Sequence, residues 1–165
     1  RTLPLRYEQV VDEIFVQLGG FSFQERAMNE FLRLCWDRSH HRNWRSDQYE
    51  EEFEIKNDVL RLTGSWVYCD ENKWMSNPVP EYKPSQSLTT ILDALVHYEV
   101  GKFKGGAQWF PELFKYDTQE NQFEIAYMSK IKNIKLFKNG RVDIKFRSAA
   151  FVQEFVEQYL RRNPA

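Results

Sequence analysis

The sequence of 165 residues predicts one α+β domain over 1–165, with two β-hairpins, together one antiparallel sheet, packed with about four helices. Three observations carry this expectation. Apolar residues recur at three- and four-residue spacing in four stretches. Short β-type runs lie at 53–62, 66–69, 132–138 and 141–147, and an Asn139-Gly140 pair separates the last two.

The first helical stretch carries Tyr7, Val10, Val11, Ile14, Phe15 and Leu18 on one face, and Gly19-Gly20 stops it. Ser22-Phe23-Gln24-Glu25 reads as a capping box for a second helix with Ala27, Met28, Phe31, Leu32, Leu34 and Cys35, fading near Arg38. Adjacent apolar faces suggest an antiparallel helix pair. His40 to Gln48 is polar and aperiodic, hence a loop. One strand is expected over 53–62, turning at Thr63-Gly64 into a second at Trp66–Cys69. Asp70 to Ser87 holds Pro78, Pro80 and Pro84 and reads as a long loop.

Ser87 is the expected cap of a third helix with Leu88, Ile91, Leu92, Leu95 and Val96, ended by Gly101. Gly105-Gly106 opens an irregular stretch with at most a short helical turn between Pro111 and Tyr116. Asn139-Gly140 suits a two-residue hairpin turn whose central positions both need positive φ. Counting outward pairs Phe137 with Val142 and Lys135 with Ile144, so Phe137, Val142, Ile144 and Phe146 become the core face, with Ile134 and Leu136 opposite. The last helix begins near Ser148 with Phe151, Val152, Phe155, Val156, Tyr159 and Leu160; Arg161 and Arg162 sit at its C-terminal end, where positive charge complements the dipole.

Thirteen Phe, eight Tyr and five Trp supply ample material for a core. A net charge of −1 with 42% hydrophobic residues excludes a disordered tail, a collagen-like repeat and a strongly basic binder. No apolar run is long enough for a membrane-spanning helix, and no signal segment is visible. Cys35 and Cys69 make no disulfide framework, so a reduced, cytoplasmic domain is expected. The start at Arg1, without an initiator Met, reads as a fragment of a longer protein or a trimmed terminus.

Phe137-Lys138-Asn139-Gly140, followed by a strand closing on Phe146 and an amphipathic helix, resembles the C-terminal signature of domain-of-unknown-function family 4942. Glu25-Arg26-Ala27-Met28-Asn29-Glu30-Phe31 through Trp36-Asp37, then Asn43-Trp44-Arg45 and Phe53-Glu54-Ile55-Lys56, are similar to that family's helix, loop and strand, and Leu88 to Val96 falls at its next helix. The resemblance runs from Ser22 to Ala165. It implies a domain of bacteria, prophages and other mobile elements, sometimes following a DNA adenine methyltransferase domain, with no activity to carry over. Many members have a histidine where this chain has Asp143. Methyltransferase motifs have no counterpart here.

Charge is unevenly placed. Lys130, Lys132, Lys135, Lys138, Arg141, Lys145, Arg147, Arg161 and Arg162 face only Asp143, Glu154 and Glu157 in the last 36 residues, a net of +6 against −7 elsewhere. A basic two-stranded ribbon can enter a DNA groove or lie along phosphates. The plainer alternative is lysines that solvate an edge hairpin.

Glu54-x-Lys56 on a strand points two side chains one way, as a metal-dependent nuclease requires, with Asp47 and Asp58 the nearest further acids. A solvated strand face explains the pair equally well. His40, His41, Cys35 and Cys69 have no zinc-site spacing. Cys35 lies on an apolar helix face, where a thiol is inert, and His97 reads as surface or half-buried.

Trp44, Trp74 and Trp109 fall in loops and Trp66 in a strand; loop tryptophans either stack bases or partners, or fold back into the core. Trp109 follows Lys102, Lys104 and the open backbone of Gly105-Gly106. The leading expectation is a non-enzymatic accessory domain of phage or mobile-element type. It would bind DNA or RNA, or a DNA-modifying enzyme, with Lys132, Lys135, Lys138, Arg141, Lys145, Arg147 and Trp109 as contacts and no cofactor or metal. A protein–protein interaction module is the first alternative. A nuclease using Glu54 and Lys56 is the second.

Overall fold

The last hairpin sets the register of the whole sheet. In the computed structural model, which describes residues 7–17, 23–71, 79–115 and 119–162, Phe137 N–H donates to Arg141 O and Gly140 N–H donates to Phe137 O, each at 3.0 Å. The loop is therefore three residues, Lys138-Asn139-Gly140, and Gly140 rather than Asn139 takes the left-handed backbone (φ 94°). A Cβ on Gly140 would lie 2.9 Å from Gly64 O and 3.1 Å from Ser65 Cα. The two-residue turn expected from Asn-Gly is thus corrected, and pairing shifts by one. Leu136 meets Val142, Lys135 meets Asp143, and Ile134 meets Ile144. Ile134 and Leu136 join Val142, Ile144 and Phe146 in the core, while Phe137 leaves it.

These strands, β8 (Ile131–Leu136) and β9 (Val142–Phe146), lie in a five-stranded antiparallel sheet of order β3-β4-β9-β8-β7. The other members are β3 (Phe53–Lys56), β4 (Val59–Leu62) and β7 (Gln122–Glu124). The single strand expected over 53–62 is two, folded at Asn57-Asp58, with Asn57 at φ 55°, a conformation Asn tolerates.

Two small sheets were not anticipated. The expected loop 40–48 contains β1 (His40–Asn43), which pairs with β2 (Gln48–Glu51). Its residues are polar on both faces, so no alternation betrays it. The expected hairpin between 53–62 and 66–69 does not form. Instead β5 (Val67–Glu71) pairs with β6 (Pro80–Pro84), inside the stretch read as a loop, and the strand's prolines stand at its two ends. The one sheet of the sequence reading is three.

Among the described residues the helices are α1 (Tyr7–Gln17), α2 (Phe23–Ser39), α3 (Gln86–Val100), the short α4 (Gly106–Trp109) and α5 (Ala149–Phe155). α5 continues as a π-helical turn through Leu160, and a 3-10 turn spans Pro111–Phe114. The cap of α3 is Ser85, not Ser87: its Oγ accepts Leu88 N–H at 3.1 Å and donates to Trp66 O at 2.7 Å. Gly101 closes α3 in the left-handed region (φ 72°), and Ser148 caps α5 through Phe151 N–H, both as expected.

Leu60, Leu62, Val142, Ile144 and Phe146 from the sheet, Leu32 and Cys35 from α2, Leu88 to Val96 from α3 and Val152 to Leu160 build one core. Of the apolar stripe of α1, Tyr7, Val10 and Ile14 are exposed, as is Leu34 of α2, and the side chains of Phe15 and Leu18 lie outside the described residues. Gly19-Gly20, Ser22, Trp74, Pro78 and Tyr116 lie outside the described residues. No described helix is long and apolar enough to cross a membrane.

Candidate nucleic-acid interface

With its inner face on the core, the sheet turns every second residue outward. One outward row runs across all five strands: Glu54, Arg61, Asp143, Lys135 and Gln122. Along β9, two residues to either side of Asp143, stand Arg141 and Lys145. Asp143 is therefore the centre of a cross whose arms are Arg61, Lys135, Arg141 and Lys145.

Arg61 Nε donates to Asp143 Oδ1 at 3.2 Å, and its Nη1 lies 3.5 Å from Glu54. Arg141 Nε lies 3.5 Å from Asp143, yet it is buried and makes no hydrogen bond. The Arg141 guanidinium instead sits 3.8 Å from the centre of the Phe137 ring, and Lys135 Nζ lies 5.1 Å from the same ring. Lys145 reaches Asp58 at 4.0 Å. One central carboxylate is shared by two guanidiniums, Glu54 also faces Arg61 and Asp58 lies toward Lys145, which leaves Lys135 as the arm with no ion pair among the described residues.

Of the expected contacts, Lys135, Arg141 and Lys145 come together here. The rest separate. Lys138 swings to Glu71 at 2.9 Å, a pair that raises the lysine's pKa above its ordinary value. Arg147 donates to the carbonyls of Met128 (3.0 Å) and Ile125 (2.9 Å) and so ties the β7–β8 connection to β9. Lys132 is exposed at an irregularity of pairing between Ile131 and Asn133 and has no ion pair among the described residues. Trp109 is half-buried on α4, where Tyr127 Oη donates to its carbonyl, and does not belong to the outward row. The contiguous strip of all six basic residues is corrected to a smaller cluster. Sequence reasoning missed Arg61, because its strand was merged with β3; its polar place between Leu60 and Leu62 was the available signal.

The remaining candidates stand apart from this cluster or are spent in it. Glu54 and Lys56 do share a face, 3.7 Å apart, but Glu54 also faces Arg61, Asp47 pairs with Arg42, and Asp58 lies toward Lys145. Among the described residues no three His, Cys, Asp or Glu side chains converge to hold a metal ion. Cys35 is buried, with its pKa pushed up to about 12 by burial and by Asp93, so it is a thiol and not a nucleophile.

His40 stacks on Trp36 at 3.6 Å and is held below its ordinary pKa by burial. His41 lies within 3.2 Å of Glu50 and 3.1 Å of Glu52. His97 Nδ1 is 2.6 Å from Tyr159 Oη, and burial lowers its pKa too. Trp66 fills the core, whereas Trp44, at the tip of the β1–β2 hairpin, is 84% exposed with Arg42 5.3 Å from its ring centre. Comparison with known proteins finds no matching family model, curated protein or solved structure.

Proposed function

We propose that this is a non-enzymatic accessory domain that contacts the phosphate backbone of nucleic acid with the open face of its five-stranded sheet. The observation that carries the reading is the cross of Arg61, Lys135, Arg141 and Lys145 around the single carboxylate of Asp143. A phosphate oxygen is a natural acceptor for Lys135 Nζ, which has no ion pair among the described residues. Phosphate contacts of this kind confer affinity without sequence preference. The resemblance to family 4942 belongs to the same proposal: it suggests a phage or mobile-element setting and a DNA-modifying enzyme as the protein that such a domain serves.

The test is fluorescence anisotropy with single- and double-stranded DNA and RNA at two salt concentrations. Binding weakens as salt rises, and Lys135→Glu with Lys145→Glu weakens it on every sequence alike. Absence of binding to any of the four at about 50 mM salt, where phosphate contacts are strong, overturns the reading.

One observation favours a second reading, a protein-docking module. On the β1–β2 hairpin, exposed Trp44 and Tyr49 flank Arg42, which pairs across the strands with Tyr49, and Trp, Tyr and Arg are the residues that dominate protein interfaces. Salt-insensitive capture of a DNA-modifying enzyme, lost in Trp44→Ser, is the outcome that selects it.

A further inference from the structure

Beside the cationic cross lies a hollow of about 390 Å³ lined by Tyr82, Asn121, Leu136, Phe137, Lys138 and Asn139. Phe137 belongs to both: it lines the hollow and carries the Arg141 guanidinium 3.8 Å from its ring centre. We infer that this hollow receives one unpaired nucleobase, stacked on Phe137, while the adjoining phosphate meets Arg141 and Lys135, so that the ligand is a single strand rather than a duplex. The inference rests on the sheet-face reading above and adds the substrate class to it.

The chemistry of the lining points this way. Of the two aromatic rings in the lining, Tyr82 is buried and Phe137 half-buried, so Phe137 is the ring on which a flat heterocycle can stack, and base–aromatic stacking is tolerant of sequence. Two carboxamides offer edge contacts. The Asn139 Oδ1 is occupied by Arg141 N–H at 3.1 Å, which leaves its amide NH₂ as a donor. The Asn121 side chain is exposed and makes no hydrogen bond among the described residues, so both its donor and its acceptor are available to a base edge. The one cation of the lining, Lys138, is held by Glu71 at 2.9 Å, so the hollow itself carries little excess charge and suits a neutral ring. Charge is concentrated two residues beyond Asn139, at Arg141, whose guanidinium lies against the Phe137 ring. A base and a phosphate are the two halves of one nucleotide, and a single strand can present both without the cost of opening a duplex.

Anisotropy on the full chain with a labelled single-stranded 12-mer, the same sequence as a duplex, and a purine mononucleotide tests this. The single strand binds about tenfold more tightly than the duplex, and Phe137→Leu and Asn121→Ala each weaken single-strand binding about fivefold or more, in line with the loss of one stacked or edge-bonded base. Asn121 is on the surface, so its variant keeps the test valid if Phe137→Leu unfolds. Duplex binding stays within about twofold in Asn121→Ala, as phosphate contacts alone require.

Equal binding of duplex and single strand, or Asn121→Ala leaving the single strand unaffected, overturns the base pocket while the sheet-face reading stands. A mononucleotide as tight as the 12-mer overturns the assignment to a polymer. Binding of neither form, or binding indifferent to Lys135→Glu with Lys145→Glu, overturns the sheet-face reading and this inference with it.

Discussion

Asp143→Asn removes a charge and almost no volume, and the two consequences have opposite signs. The carboxylate accepts from Arg61 at 3.2 Å and lies 3.5 Å from Arg141, with side chains 18%, 23% and 29% exposed for Asp143, Arg61 and Arg141. Partly exposed pairs of this kind contribute about 0.5–1 kcal/mol each. Their loss, with Glu54 still beside Arg61 and Asp58 beside Lys145, costs about 1–2 kcal/mol in all. At this chain length, that lowers the melting temperature by roughly 2–8 °C.

Polyanion binding moves the other way. With the central carboxylate gone, about one more phosphate charge is neutralised per complex, so the salt slope steepens by about 0.9 and affinity at about 0.1 M salt rises roughly five- to tenfold. Thermal melts and anisotropy over a salt series measure both on one preparation. General damage lowers stability and binding together. A variant that melts lower and binds no tighter refutes the idea that the cross is a phosphate site held partly closed by its own counter-ion.

Three further outcomes follow from the same geometry. Lys138→Glu weakens polyanion binding less than Lys135→Glu, because Lys138 is engaged by Glu71 and Lys135 has no ion pair among the described residues; anisotropy at low salt ranks the two. Gly140→Ala forces a positive φ of 94° on a side chain and brings its Cβ to 2.9 Å from Gly64 O, so urea denaturation shows a loss of about 2–4 kcal/mol. His40 and His97 are both held below their ordinary value of 6.5 by burial, so the unfolded chain binds protons first. Stability is therefore full above pH 6.5 and falls as pH drops from there through the lowered folded values, which a pH series of thermal melts reads as a falling midpoint. Asp93 has a pKa raised by burial and works in the opposite sense, because acidification favours its folded, protonated form over an unfolded group at 3.8.

Periodicity made α2, α3 and α5 legible, because each buries a stripe and the stripe is what the sequence displays. The same signal located α1, and Tyr7 and Ile14 show that helical spacing is present whether or not anything covers a residue. The β1–β2 hairpin left no trace, since its residues other than His40 are largely exposed and polar and show no alternation to read. Asn139-Gly140 announced a hairpin correctly and its register incorrectly. Glycine's freedom suits either a two- or a three-residue loop, and the close approach of Gly64 O and Ser65 Cα, invisible in the sequence, goes with the second.

That one-residue difference turned Lys135 outward beside Asp143. The engagement of Lys138 and Arg147 elsewhere was not legible, because their partners, Glu71 and the carbonyls of Ile125 and Met128, come from segments whose proximity only the fold creates.

The seam between β4 and β9 joins Arg61 to a residue 82 positions further along the chain. The β3–β4 hairpin therefore keeps one edge unpaired until residues 142–146 have been made. Closure of that loop is a slow, non-local event, and in the interval the bare edge is open to strands of neighbouring nascent chains. Formation of the five-stranded sheet thus depends on β9, and truncations before Phe146 yield a chain whose main sheet has no centre.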